Sequence, residues 1–204
     1  MGEGWPHGQG EGRPRKGAVI QAQRIEEAIS AILEAIGENP EREGLRETPQ
    51  RVARMYAELF SGIGLDPAAE IDAVFEQSCQ DPVILRDVPF YSFCEHHLVP
   101  FFGVAHMGYI PNGKISGLSK LARALEVTAH RPQVQERLTH QLADAIFSAL
   151  NPKGVVVEVE AEHLCMAMRG VNKPGSRVIT TAIRGQFEDC DLDRETFLAL
   201  FRRR

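Results

Sequence analysis

Apolar positions first fall into register near the start of the chain's second tenth. From 18 to 36, Ile20, Ile25, Ile29, Ile32, Leu33 and Ile36 recur at helical spacing, and Gly37 ends the run. The pattern predicts an amphipathic helix. Pro40 and Gly44 mark a loop, after which Thr48 as N-cap and Pro49 in the first helical turn predict a second helix over 48–61. Arg51 and Arg54 share a face of it, which on spacing alone reads as a solvated surface. Beyond Gly62 the period shortens. Residues 83–92 and 101–110 read as strands, with Pro111-Asn112-Gly113 as a turn signal. Helical spacing returns over 118–129 and 132–150, the latter carrying Val134, Leu138, Leu142, Ile146 and Leu150 on one stripe. The β-branched runs Val155-Val156-Val157 and Val178-Ile179-Thr180-Thr181 predict strands over 154–168 and 177–183. Phe197, Leu200 and Phe201 suggest a short helix over 193–203.

The order is two strands, two helices and two strands behind a helical N-terminal segment, an α+β chain. We expect one domain, with 18–62 as its helical segment and 63–204 as its main body. Residues 1–17, rich in Gly and carrying Trp5 as their one large apolar group, cannot bury enough to offset chain entropy and are expected to be a disordered tail. Two strand pairs leave open sheet edges, so closure through oligomerisation is expected. The 204 residues, 43% hydrophobic and 25% charged, suffice for one sizeable core. The net charge of -5 argues against a nucleic-acid surface as the main function. No apolar h-region opens the chain and no apolar run reaches about 18 residues, which argues against secretion and membranes. The four cysteines lack framework spacing, so the reducing cytoplasm is the expected compartment.

Two of those cysteines change the picture. Cys94 and His97 are spaced so that one turn directs a thiolate and an imidazole at a single cation, and His163 and Cys165 are spaced by two, which in a strand puts both on one face. Cys94, His97 and Cys165 make an S,N,S set suited to zinc, with a fourth position free for water. His96 and His163 are spare imidazoles beside it, the outline of a hydrolytic site rather than a structural staple. The plain alternative is a buried thiol beside surface histidines. Cys79 and Cys190 match neither cluster and read as incidental thiols. His7, His106, His130 and His140 read as tail, strand or helix-surface residues.

The run CEHHLVPFFGVAHMGYIPNGKISGLSKLARALE, followed by RPQVQERLTHQLADAI and EAEHLCMAMRGV, resembles GTP cyclohydrolase I. The resemblance extends upstream through ETPQRVARMY and downstream through RETFLALFRR, leaving out the tail to Gly17. It implies the tunnelling fold, a ββααββ unit from each subunit assembling into a toroidal β-barrel. It further implies a homodecamer of two pentamers with active sites at subunit boundaries; no regulatory partner is specified by it.

The implied reaction converts GTP and water to formate and 7,8-dihydroneopterin triphosphate. Cys94, His97 and Cys165 would hold zinc, which lowers the pKa of water for attack on guanine C8. His163 would protonate N7, His96 would move protons in ring opening and formate release, and Ser119 would serve the ribose rearrangement. Glu136 would accept from guanine N1–H and the 2-amino group, with Gln135 helping to read the polar edge. Lys120, Arg123 and Arg169 would hold the triphosphate, with Arg51 and Arg54 as weaker candidates. Spacing alone makes Lys120 and Arg123 an ordinary polar helix face; the matching context Ser116-Gly117-Leu118-Ser119-Lys120-Leu121-Ala122-Arg123 reverses that reading. Two rivals remain, a noncatalytic zinc-bearing scaffold and another tunnelling-fold enzyme acting on a pterin or purine.

Overall fold

The computed structural model describes residues 19–79 and 81–185, together with Glu195, Leu198, Ala199 and Phe201. The expected tail over 1–17 lies outside the described residues. So does most of the terminal segment, whose four described residues are helical.

Two helices open the described chain, α1 (Ala22–Ala35) and α2 (Thr48–Leu59), packed against one another. Thr48 sits inside α2, one residue past the position expected of a cap, because Glu47 already holds the N-cap place and Pro49 needs no amide partner in the first turn. No residue of α1 is buried. Its apolar stripe, with Tyr56 of α2 and Leu98, lines an open cavity of about 540 Å³.

A 3-10 turn (Pro67–Glu70) leads to β1 (Val74–Glu76), then β2 (Val83–Cys94), β3 (Pro100–Ile110) and β4 (Lys114–Ser116). The helices α3 (Leu118–Ala129) and α4 (Gln135–Leu150) follow, with β5 (Pro132–Gln133) between them. The strand β6 (Gly154–His163), the helical turn α5 (Leu164–Ala167) and β7 (Val178–Gly185) complete the order. The expected strand and helix sequence is present, with short elements added. The main sheet has the order β5-β2-β3-β6-β7, antiparallel except where β5 runs parallel to β2. β1 and β4 pair separately, at three residues each too short to show a period in the sequence.

Strand alternation decides which face carries the core. Phe101, Ala105, Met107 and Tyr109 of β3 and Val155, Val157, Val159 and Ala161 of β6 are buried against Leu121 and Leu125 of α3 and Leu138, Leu142 and Ile146 of α4. On the opposite face Ile110 and Val156 meet Phe201, and His106 stacks on the same ring at 5.7 Å. Gly103 is required where β3 crosses Ala161, because a Cβ there would overlap the Glu160 carbonyl.

Two boundaries differ from the sequence expectation, and both bear on the site. The second core helix begins at Gln135 rather than Pro132, because Pro132 and Gln133 extend alongside Phe93 and Cys94 as a strand. The strand expected over 154–168 stops at His163, where the chain turns into α5. His163 and Cys165 therefore do not share a strand face; the residue pair reaches one place through a strand end and a helical turn.

Candidate metal centre and active site

The loop after β2 is built to aim its side chains. Cys94 N–H donates to the Val99 carbonyl at 3.0 Å and Leu98 N–H to the Cys94 carbonyl at 2.8 Å, closing a single turn around Glu95, His96 and His97. Leu98 takes a left-handed conformation, φ 49°, to end that turn, a strain of about 1–3 kcal/mol for a residue with a Cβ. Two ties hold the loop to the next layer. Glu95 N–H donates to the Gln133 carbonyl at 3.0 Å, and the Glu95 carboxylate is paired with Arg137 of α4. Hydrogen bonding from Arg137 holds the Glu95 carboxyl below its ordinary value. Arg137 Nε in turn donates at 2.9 Å to Oε1 of Gln133, which is fully buried.

From the other side, α5 brings Cys165 to this loop. One donor atom each from Cys94, His97 and Cys165 lie within 4.8 Å of one another. The Cys94 Sγ to His97 Nδ1 distance is 3.9 Å. A tetrahedral zinc, with about 2.3 Å to sulfur and 2.0–2.1 Å to nitrogen, sets neighbouring donors roughly 3.5–3.8 Å apart, so small side-chain adjustments satisfy it. The donor chemistry fits as well. Burial, followed by the neighbouring Cys94 thiol, pushes the Cys165 thiol up. A cation between the two sulfurs would relieve that repulsion and favour both thiolates. His96 Nδ1 also stands 3.8 Å from Cys94 Sγ, but His97 is the imidazole that falls within reach of both sulfurs, and the His96 side chain remains 65% exposed.

His163 sits opposite Phe101 across β3 and β6, and the two rings stack with centroids 4.6 Å apart and planes 1° from parallel. Its Nε2 is 2.8 Å from Oε1 of Gln135, a residue only 1% exposed at the first position of α4. Burial lowers the His163 imidazole below its ordinary value, opposed by the Glu136 carboxylate. That opposition puts Glu136, exposed in the first turn of α4, within electrostatic range of the ring. The Gln135 amide nitrogen is engaged inside the protein, with Val159 O at 3.0 Å, Val178 O at 2.9 Å and Thr180 Oγ1 at 3.2 Å.

The cationic residues are not gathered in the same way. Lys120 pairs with Asp72. Arg123, exposed on α3, lines a cavity of about 320 Å³ with Pro89, Tyr91, Glu126 and His130, whose walls include none of the three metal donors. Arg51 and Arg54 are exposed on α2, and Arg51 is paired with Glu47 at 2.7 Å. Arg169, exposed after α5, is the exception, because its charge lowers the Cys165 thiol against the larger upward effects of burial and Cys94. Ser119 is exposed near the start of α3. Sequence reasoning missed Phe101, Thr139, Thr180 and the Glu95–Arg137 pair. Phe and Thr in such positions read as ordinary core and strand residues; Arg137 beside Glu136 offered a charge but no sign of its partner.

Comparison with known proteins agrees with the resemblance. The family model described as GTP cyclohydrolase I matches residues 25–202. The chain is 58% identical over 182 residues to GTP cyclohydrolase 1 of Streptococcus pyogenes, covering 89% of this chain and 94% of that protein. It is 57% identical over 181 residues to GTP cyclohydrolase 1 of Streptococcus thermophilus, covering 88% and 97%. A solved structure of archaeosine synthase QueF-Like in the apo form overlaps 54% of this chain and 98% of its own at TM-score 0.43 and 21% identity, a level that decides nothing here.

Proposed function

The chain belongs to the GTP cyclohydrolase I family, and from that premise we propose that it converts GTP and water to formate and 7,8-dihydroneopterin triphosphate at the site between the Cys94–Leu98 loop, α5 and the start of α4. The observation that carries the reading is the convergence of Cys94, His97 and Cys165, the last of them two residues along the chain from His163. Those three donors would hold zinc, which when bound activates water near neutral pH. The chain's own groups do the rest. His163 delivers a proton to N7 as water oxygen bonds to C8, so that O–H adds across C8=N7 and the imidazole ring can open. A second water releases C8 as formate, and His96, its side chain exposed, carries protons in that step. Ser119 acts in the ribose rearrangement, and ring closure returns one water, leaving one consumed overall.

Glu136 accepts from guanine N1–H and the 2-amino group, a pattern adenine does not present. Lys120, Arg123 and Arg169 hold the triphosphate, with Arg51 and Arg54 in support. We assign the catalytic part of the ring to one subunit and at least Arg123 to a neighbour, since Arg123 opens onto a separate cavity in its own chain. The strand edges support assembly: β7 ends the sheet, and β5 covers only Phe93 and Cys94 of β2. The expected assembly is a toroidal homodecamer with a tunnelling-fold barrel, in the cytoplasm. Among the described residues no helix is long and apolar enough to cross a membrane. The test is an assay for formate together with the fluorescent oxidised neopterin formed from GTP; zinc-loaded protein that releases neither overturns the reading.

A further inference from the structure

The hydrogen-bond chain under His163 fixes more than its position. The Gln135 amide end nearest Val159 O (3.0 Å) and Val178 O (2.9 Å) must be the nitrogen, because backbone carbonyls only accept. The other end is then oxygen, and it lies 2.8 Å from His163 Nε2. An amide oxygen also only accepts, so the hydrogen in that contact belongs to Nε2. The amide is itself held in place. Thr139 Oγ1 lies 2.8 Å from the backbone carbonyl of Gln135 and must donate there, so in its 2.6 Å contact with Thr180 Oγ1 the hydrogen comes from Thr180. The lone pairs of Thr180 Oγ1 are left to face the amide nitrogen at 3.2 Å. The hydrogens of Thr139, Thr180 and His163 Nε2 are thereby assigned, and the two amide hydrogens are shared among Val159 O, Val178 O and Thr180 Oγ1. Gln135 and Thr139 are 1% and 0% exposed, while His163 and Thr180 are half-buried, so the amide and the Thr139 hydroxyl are shielded from water on the protein side.

We propose that Gln135, set by Thr139 and Thr180, is a positioning residue that holds His163 with hydrogen on Nε2 and makes Nδ1 the atom at which protons enter and leave. The assignment does not depend on the ring's charge: neutral His163 carries its one hydrogen on Nε2, and a charged ring keeps that hydrogen and gains the exchangeable one at Nδ1. Ring orientation is fixed by the Phe101 stack and tautomer by the amide. Because the two lower anchors, Val178 and Thr180, lie on the edge strand β7, the docking of that strand sets the geometry of a group on β6.

The inference rests on the reading of His163 as the proton-transfer group, but its first test does not. In unliganded zinc-loaded protein with 15N-labelled histidine, the ring signals lost in His163→Ala are expected to show a protonated Nε2 and a bare Nδ1 in the neutral ring; hydrogen on Nδ1 instead overturns the proposal. Absence of formate from the wild-type enzyme would sink the functional reading while leaving that result intact. In kinetics, Gln135→Leu is expected to lower kcat at least about 10-fold, with KM for GTP within about threefold and zinc retained, and its His163 signals are expected to become a tautomer mixture. Thr180→Val should lower kcat about threefold or more and Thr180→Ser, which keeps the hydroxyl, should restore most of it. A Gln135→Leu enzyme with unchanged kcat and a raised KM would make Gln135 a reader of guanine and overturn the positioning role. Should Gln135→Leu fail to fold, the wild-type spectrum and the Thr180 pair decide.

Discussion

The two halves of the site are made differently. On one side Cys94, His97, Cys165, His163 and Gln135 are drawn from a loop, a helical turn, a strand end and a helix start into contacts of 2.8–3.9 Å or within a 4.8 Å group. On the other, Lys120, Arg123, Arg51 and Arg54 stand on helix surfaces, two of them already paired with local carboxylates. On the function proposed above, the contrast follows from the chemistry each half would serve. Metal coordination and proton transfer fail with displacements below an ångström, and the supporting groups Gln133, Gln135 and Thr139 beneath this half are buried and hydrogen-bonded. Among the described residues no buried side-chain nitrogen or oxygen lacks a partner. Phosphate capture by long cationic side chains tolerates displacement and is completed by the ligand and, on our reading, by a neighbouring subunit.

The largest effect is expected where precision matters most. Cys165→Ser, Cys94→Ser or His97→Ala should each strip most of the zinc and abolish turnover, because a three-donor site cannot spare one. Metal analysis of the purified variants checks this, and chelation of the wild type should act in the same direction. Full zinc with normal turnover after Cys165→Ser would remove that residue from the donor set and dissolve the contrast between the halves. Next comes His163→Ala, expected to lower kcat by about 10² or more with zinc and assembly retained. Stoichiometric loss of zinc would instead move His163 into the metal shell.

Much of the half around Cys94, His97, Cys165 and His163 was legible as residues but not as geometry. Helical spacing located α1, α3 and the body of α4, strand-like runs located β2 and β3, and the β-branched run Val155-Val156-Val157 located β6, because each pattern persists over many residues. The candidate metal donors emerge only when the Cys94/His97 spacing is joined to His163/Cys165, since either pair alone also fits a buried thiol beside surface histidines. What escaped was set by contacts between distant segments. Pro132 looked like a helix start, and only the edge of β2 at Phe93 and Cys94 draws it into a strand. His163 and Cys165 looked like strand neighbours, and nothing local announces the turn at Leu164. Thr139 and Thr180, forty-one positions apart, become one network when α4 docks across β7. The proton roles and the phosphate contacts came from family resemblance, not from spacing, since an exposed Arg on a helix carries no sign of its ligand.

Smaller effects separate the ends of the substrate. Glu136→Ala should weaken GTP binding by about 1–3 kcal/mol, leaving guanine donors unpaired. Arg123→Ala should cost about 1.5–3 kcal/mol against GTP and almost nothing against guanosine, measured by competition in the formate assay. An equal penalty on both ligands would refute the phosphate contact. Coassembly then locates it: rings mixed from His163→Ala and Arg123→Ala chains should recover a fraction of activity if the two residues meet across a boundary. No recovery in verified mixed rings would place both in one chain and end the division of labour argued above.

The smallest effect tests whether the open half is held in reserve. Lys120, its side chain 20% exposed, is paired with Asp72, 61% exposed, so the lysine must exchange one anion for another when the triphosphate arrives. Exposed or half-exposed pairs of this kind contribute about 0–1 kcal/mol, which bounds both their stability and the competition they offer. Asp72→Asn keeps the shape and removes the competing charge. It should therefore lower KM for GTP by at most about fivefold, change thermal stability little, and lose its effect as ionic strength rises and the Debye length shortens. Lys120→Ala should abolish the benefit of Asp72→Asn, because the two act on the same phosphate. A KM that falls equally with or without Lys120 would mean that Asp72 acts through the general field of the site, and a KM that rises would mean that the ion pair positions the lysine for its ligand instead of withholding it.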